Sequence, residues 1–305
     1  MIGGLLKTIR PHQWVKNLFV MAPMFFHKDV FVTSAEGVPA LNLIVTGRAA
    51  IATMVFCLLA GAVYTINDLV DVEADRVHPV KRNRPIASGR VPQNVARAMA
   101  AALVVVSLGV GWFIDPLFAA VALVYFVENI AYSFKLKKVA FLDVGLIALG
   151  FVLRVIAGGY ATHVHVSGYM LGCTALLALF LGFGKRRHEL AAENAGKQRA
   201  ALEAYGKTSL TVALAVTGLA TAATYIAYTL DPTTQAFFNT TWLWLTAPFV
   251  VFGIVRFLML VSGRAGSGLK SESPTQEMLS DVPFVLNIVA WCIVVVAIVY
   301  RLRPG

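Results

Sequence analysis

Apolar residues fall in nine long runs, at roughly 13–32, 42–66, 93–113, 117–134, 139–161, 167–184, 208–230, 240–262 and 282–301. Their lengths cluster near the ~20 residues that an α-helix needs to cross the hydrocarbon core of a bilayer. Pro11, the stretch from Ser34 to Pro39, Asp115-Pro116, the stretch from His163 to Gly168 and Asp231-Pro232 punctuate them. The short in-and-out alternation of a transmembrane β-barrel is absent from the sequence. The pattern predicts an all-α polytopic membrane protein, a single domain over 1–305 with nine transmembrane helices. Polar segments at about 67–92, 134–139 and 185–207 are expected to form a cap of loops and short helices.

Composition agrees: 58% of the 305 residues are hydrophobic, 14% are charged, and the mean hydropathy is +0.73. Soluble domains carry nearly twice that charge. Cys57, Cys173 and Cys292 lie far apart inside apolar runs and read as packing residues. Met1 to Arg10 precedes an apolar run with no small-residue cleavage site after it, so a retained first helix is expected and not a signal peptide.

Charge assigns the sides. Most of the 26 Lys and Arg residues fall in alternate connections: Lys7, Arg10 and Lys16; Arg76 to Arg97; Lys135, Lys137 and Lys138; Lys185 to Lys207; Arg264 and Lys270. The opposite connections hold almost none. The positive-inside rule puts the rich side, and any site built there, in the cytoplasm beneath the cell (inner) membrane. The formal charge of +10 is one-sided, which suits anionic headgroups of membrane lipids or a phosphorylated substrate; no nucleic acid partner is expected.

The densest chemistry stands where the second run ends: Asn67, Asp68, Asp71 and Asp75, then His78, Lys81, Arg82, Arg84 and Pro85. On one helix, positions 68, 71 and 75 would share a face. Like charges held so close call for a cation, and oxygen-only ligands suit Mg²⁺. Lys81 and Arg84 could hold an anion bound through that metal. The plainer alternative is a solvated helix end whose acids and bases pair with one another.

Other stretches are more ambiguous. Trp14 and Lys16 read on composition as an interface anchor and a snorkelling cation, and Tyr132 with Lys135, Lys137 and Lys138 as a belt residue and a positive-inside cluster. Gly182-Phe-Gly184-Lys185 only weakly resembles a phosphate loop, since the spacing is wrong and no strand precedes it. Glu189 and Glu193, four apart, could be a second metal pair or partners for Lys185, Arg186 and Arg187. Arg154 lies roughly 22 Å into its run by helical rise and is a functional candidate as an intramembrane charge. Glu128, Asp143 and Arg256 lie nearer the cytoplasmic end, so Arg154 and Glu128 are not expected to pair. His163 and His165 read as loop residues, and Asn239-Thr-Thr241 as a chance glycosylation pattern.

Assembled, these residues resemble the UbiA superfamily of intramembrane prenyltransferases over essentially the whole chain. The superfamily's N-D-x-x-D-x-x-x-D motif is matched at Asn67, Asp68, Asp71 and Asp75. Its second aspartate motif is not: that place holds Lys185, Arg186, Arg187, His188 and Glu189. With Arg10-Pro-x-Gln13-Trp14-Val-Lys16-Asn17, His78-Pro-x-Lys81-Arg82-x-Arg84-Pro85, Arg154-x-x-Ala157-Gly158-Gly159 and Leu279-Ser280-Asp281-x-Pro283, the pattern is similar to the phosphoribosyltransferase branch. That resemblance implies Mg²⁺ on Asp68, Asp71 and Asp75, phosphoribosyl pyrophosphate as donor and a polyprenyl (decaprenyl) phosphate as acceptor. It implies Asn67, Asn17, Tyr132 and Glu189 as site residues, with Lys16, Lys81, Arg84, Lys135, Arg154, Lys185 and Arg186 for the phosphates, and is compatible with a homo-oligomer. The rival within the superfamily is a prenyltransferase acting on an aromatic or lipid acceptor, with Glu189 and Glu193 in place of the second motif. A transporter would show broken helices repeated in two halves, and the sequence has no such symmetry.

Overall fold

The computed structural model describes residues 1–26, 30–33, 39–134, 136–191, 205–262, 278 and 280–301. Among these residues, eight helices are long and apolar enough to cross a membrane. The chain divides into two compact units, residues 1–136 with 149–166, and residues 137–148 with 167–305.

The first unit opens with α1 (Ile2–Thr8), a 3-10 stretch (Pro11–Met21), α2 (Ala22–Phe26) and a small antiparallel pair, β1 (Phe31–Thr33) with β2 (Pro39–Leu41). The run expected to form a first span over 13–32 is therefore apolar but not one long helix. Pro11 and Pro23 deny it continuous i→i−4 bonding, and a tighter 3-10 stretch results. The central helix is α3 (Leu43–Val70), with α4 (Val72–Val77), α5 (Gln93–Ile114), α6 (Pro116–Phe134) and most of α7 (Leu142–Thr162) completing the unit. Helix α3 packs on α5, α6 and the 3-10 stretch around Val20, Phe56, Leu59, Phe118 and Leu153. Gly158 lets α7 approach the 3-10 backbone: a Cβ there would stand 1.9 Å from the Val20 carbonyl oxygen.

The second unit holds α8 (Gly168–Ala191), α9 (Lys207–Leu230), α10 (Pro232–Phe238), α11 (Ala247–Val261) and α12 (Val282–Val296). Its core gathers Val144, Phe180, Phe183, Leu210, Leu214 and Phe257. Helix α8 continues past the expected end near residue 184, so Lys185 to Glu189 stand on a helix and not in a loop; these residues are good helix formers. Gly182 and Gly184 are packing positions within it. A Cβ at either would meet Val144 or the Phe257 ring at 2.5 and 2.4 Å, which accounts for the glycines without a phosphate loop. Arg256 clamps α11 to the start of α12, donating to both Asp281 oxygens at 3.0 and 2.7 Å, while Asp281 caps the Phe284 N–H.

Candidate active site

The expected single helical face carrying three aspartates is broken. Helix α3 stops at Val70, Asp71 sits at the junction with φ −89° and ψ 5°, and α4 starts afresh at Val72. Val72 turns inward to pack with Ile86, Val91 and Ala96, and this burial redirects the chain at the end of the apolar run. Asp68 then lies on the last turn of α3 and Asp75 on α4, both buried, with Asp71 half-buried between them. Among the described residues no three acidic, histidine or cysteine side chains converge on one metal position.

Arginines join the two buried carboxylates. Arg84 Nη1 donates to Asp75 Oδ2 at 2.7 Å and to Asp68 Oδ1 at 3.2 Å. Arg10 Nη2 donates to the same Asp68 oxygen at 2.6 Å, and its guanidinium lies 5.0 Å from the centre of the Tyr64 ring. Arg10 holds a left-handed backbone at φ 52°, immediately before Pro11. The turn between Asp75 and Arg84 is closed by His78, whose Nδ1 accepts from the N–H groups of Val80 and Lys81. Gly89, at φ +77°, supplies the left-handed residue that ends the segment. Lys81 itself is exposed.

The donor set fits a hard divalent cation in one respect that the fold does not otherwise explain. Asn67 Oδ1 is buried with no hydrogen-bond partner, one residue before Asp68. An orphaned amide oxygen on the residue preceding a buried carboxylate is ligand chemistry that Mg²⁺ takes, which is oxygen only, with one or two carboxylates and the rest from phosphate or water.

A second polar group lies within the first unit. Arg154, 6% exposed, donates from Nε to Asn17 Oδ1 at 2.8 Å, from Nη1 to the Gly150 carbonyl at 2.9 Å and from Nη2 to the Tyr125 hydroxyl at 2.7 Å. Asn17 passes the contact on to Cys57 Sγ at 3.4 Å. The expected mismatch in depth between Arg154 and Glu128 is not found. A Cβ at Gly150 would lie 3.5 Å from Arg154 Nη1 and 3.9 Å from Glu128 Oε2, so both reach the same glycine. Arg154 reaches back one turn along α7 to the Gly150 carbonyl, a displacement that counting residues from the helix end does not include. Lys16 is exposed, Tyr132 is half-buried, and Lys135 lies outside the described residues.

In the second unit Arg186 is 1% exposed. Its Nε donates to Asp143 Oδ2 at 2.7 Å and its Nη1 to Glu189 Oε2. The Tyr205 hydroxyl donates to Asp143 Oδ1 and accepts from the Phe141 N–H at 2.6 Å. Burial, then the hydrogen bond to the Asp143 carboxylate, push the Tyr205 phenol above its usual range. Of the two readings of Glu189, the structure shows it accepting from a neighbouring base; Glu193 lies outside the described residues. Lys185 is exposed one position before Arg186.

Sequence reasoning set Arg10 among matching residues but gave it no role at the aspartates, and it passed over Tyr64 and Tyr125. The signal for Arg10 was its place before a proline at the head of an apolar run, where a cation is stranded at the interface. Tyr64 stands one turn before Asp68 on α3.

The comparisons converge on one family. The UbiA prenyltransferase family matches residues 20–271. The chain is 34% identical over 313 residues to the decaprenyl-phosphate phosphoribosyltransferase of Mycolicibacterium smegmatis, covering 98% of this chain and 93% of that protein. It is 36% identical over 294 residues to the protein of that name from Mycobacterium tuberculosis (strain CDC 1551 / Oshkosh), covering 95% and 92%. A UbiA homolog from Archaeoglobus fulgidus, solved bound to DMAPP and Mg²⁺, shares the fold at a TM-score of 0.68 and 18% identity, covering 98% of this chain and 99% of that one. With the aspartate motif at the end of α3 and the match running through both units, the chain belongs to the UbiA prenyltransferase family.

Proposed function

We propose that this chain transfers a 5-phosphoribosyl group from phosphoribosyl pyrophosphate to a polyprenyl (decaprenyl) phosphate, releasing diphosphate. The observation that carries it is near full-length identity of 34 and 36% to two relatives named for that transfer. The cation-rich surroundings of the aspartates support it, because both substrates bring phosphates to be held. A phosphate oxygen of the lipid forms a bond to the anomeric carbon of the ribose as the bond from that carbon to the diphosphate breaks, the electron pair leaving with the diphosphate.

Asp68, Asp75, Asn67 and Asp71 would hold Mg²⁺, which when bound neutralises charge on the diphosphate. Arg84 and Arg10 hold the carboxylates in register through their guanidinium groups. Lys81 and Lys16, both exposed within the first unit, are assigned to phosphate charge that Arg84 alone would not neutralise. Lys185 at the end of α8 is assigned to a phosphate on the same ground of exposure. Arg154 has a positioning role, since Nε and both Nη atoms are engaged and it fixes Asn17 next to Lys16. The active end faces the cytoplasm from an inner-membrane bundle, on the side where the basic residues concentrate.

The test is donor dependence. Purified protein with Mg²⁺, labelled phosphoribosyl pyrophosphate and polyprenyl phosphate is expected to give labelled lipid, and chelation by EDTA to abolish it. Product only from a prenyl diphosphate and an acceptor ring would overturn the assignment in favour of prenyl transfer.

A further inference from the structure

The oxygens that a metal would use in the first unit already carry guanidinium groups. Arg10 stands on Asp68 Oδ1, and Arg84 on Asp68 Oδ1 and Asp75 Oδ2. The two carboxylates are each 3% exposed at the side chain, while the arginines are 26 and 29% exposed. A doubly charged ion arriving alone would meet carboxylates whose charge is already compensated. It would also push two guanidinium groups aside with no anion to receive them. Neither arginine can withdraw far. Arg10 is held at its left-handed backbone before Pro11 and over the Tyr64 ring, and Arg84 is followed by Pro85 and the buried Ile86.

A diphosphate changes this balance. Its oxygens match the planar fork of arginine at least as well as a carboxylate does. It also supplies the oxygen ligands that the converging side chains are too few to provide.

Resting on the reading that this cluster holds a metal and a diphosphate, we propose that Arg10 and Arg84 make the two bind interdependently. Each guanidinium passes from a carboxylate to the diphosphate as metal and anion load together, so the bare ion binds weakly. The coupling is reciprocal: the metal tightens the diphosphate by the same factor as the diphosphate tightens the metal. A site of this kind would not fill with Mg²⁺ ahead of its donor, and would not grip free diphosphate without the metal.

The experiment measures Mn²⁺ binding to the full chain in detergent, from the free Mn²⁺ signal in electron paramagnetic resonance, with and without inorganic pyrophosphate. A protein-free sample corrects for Mn²⁺–pyrophosphate complexes. Pyrophosphate is expected to tighten Mn²⁺ on the wild type by about tenfold or more, within the usual range of such couplings. Arg10→Gln is expected to bind bare Mn²⁺ about tenfold tighter than wild type and to lose most of the pyrophosphate effect, with Arg10→Lys returning toward wild type. Equal Mn²⁺ affinity with and without pyrophosphate on the wild type overturns the coupling and leaves the metal site standing. No Mn²⁺ binding under either condition overturns the metal site itself. Should Arg10→Gln fail to fold, Arg84→Gln takes its place, and the wild-type comparison decides the coupling unaided.

Discussion

Arg84 carries two buried carboxylates on one nitrogen, which makes its neighbours separable by mutation. Asp68→Ala leaves Arg84 its bond to Asp75 and leaves a partly exposed Arg10 able to reach water, so the fold should survive. Turnover is expected to fall at least about a hundredfold while the melting temperature in detergent moves by only a few degrees; activity near wild type would remove Asp68 from the metal. The glycines give a sharper contrast at the same scale. Gly158→Ala drives a methyl group onto the Val20 carbonyl, a backbone atom that cannot rotate away, whereas Gly47→Ala on α3 meets nothing within 4 Å. Size-exclusion chromatography should show Gly158→Ala aggregated or absent and Gly47→Ala as a single peak at wild-type yield.

Among the elements, what could be read from the sequence follows from what each segment buries. The eight long spans were legible because twenty-odd apolar residues leave few alternatives, and the aspartate motif because its spacing is chemically costly without a purpose. The break at Asp71 was not legible. It depends on Val72 burying itself against Ile86 and Val91, a contact made across fourteen and nineteen positions that no local pattern announces. The setting of Arg186 was hidden for the same reason: in sequence it is one cation in a basic run, and only the fold places Asp143, forty-three residues earlier, against it. That buried group should matter to stability. Tyr205→Phe removes the donor to Asp143 and the acceptor for the Phe141 N–H, at a cost of about 1–3 kcal/mol for polar groups left buried; thermal melting should show the drop at neutral pH. The Arg256–Asp281 clamp predicts a pH effect of known sign. Hydrogen bonding from Arg256, set against partial burial and helped by the Phe284 N–H, holds the Asp281 carboxyl below its usual value. Its contribution is therefore present above about pH 4 and fades as pH falls through the depressed value. Asp281→Asn keeps the cap but not the charge, so its melting temperature should trail wild type at pH 7 and converge with it below pH 4.

At the scale of the whole molecule, orientation decides whether a water-soluble, highly charged donor can meet the aspartates at all. The first unit offers two exposed markers at opposite ends of its spans. Ser88 lies in the polar segment that follows the aspartates, and His163 lies in the turn that ends α7, at φ 57°. Basic residues surround the first, with Arg76, Lys81, Arg82, Arg84 and Arg90 in one connection, and no lysine or arginine falls between Arg154 and Lys185 around the second. The asymmetry is too large for a short connection to be indifferent to it. The three native cysteines all lie within spanning helices, out of reach of a reagent confined to water. In right-side-out vesicles, Ser88→Cys should resist a membrane-impermeant maleimide until the membrane is permeabilised, while His163→Cys should react at once; inverted vesicles should reverse the order. A cysteine at 88 labelled from outside would place the aspartates where phosphoribosyl pyrophosphate is absent, and the proposed reaction would fall with the orientation even if the metal site proved real.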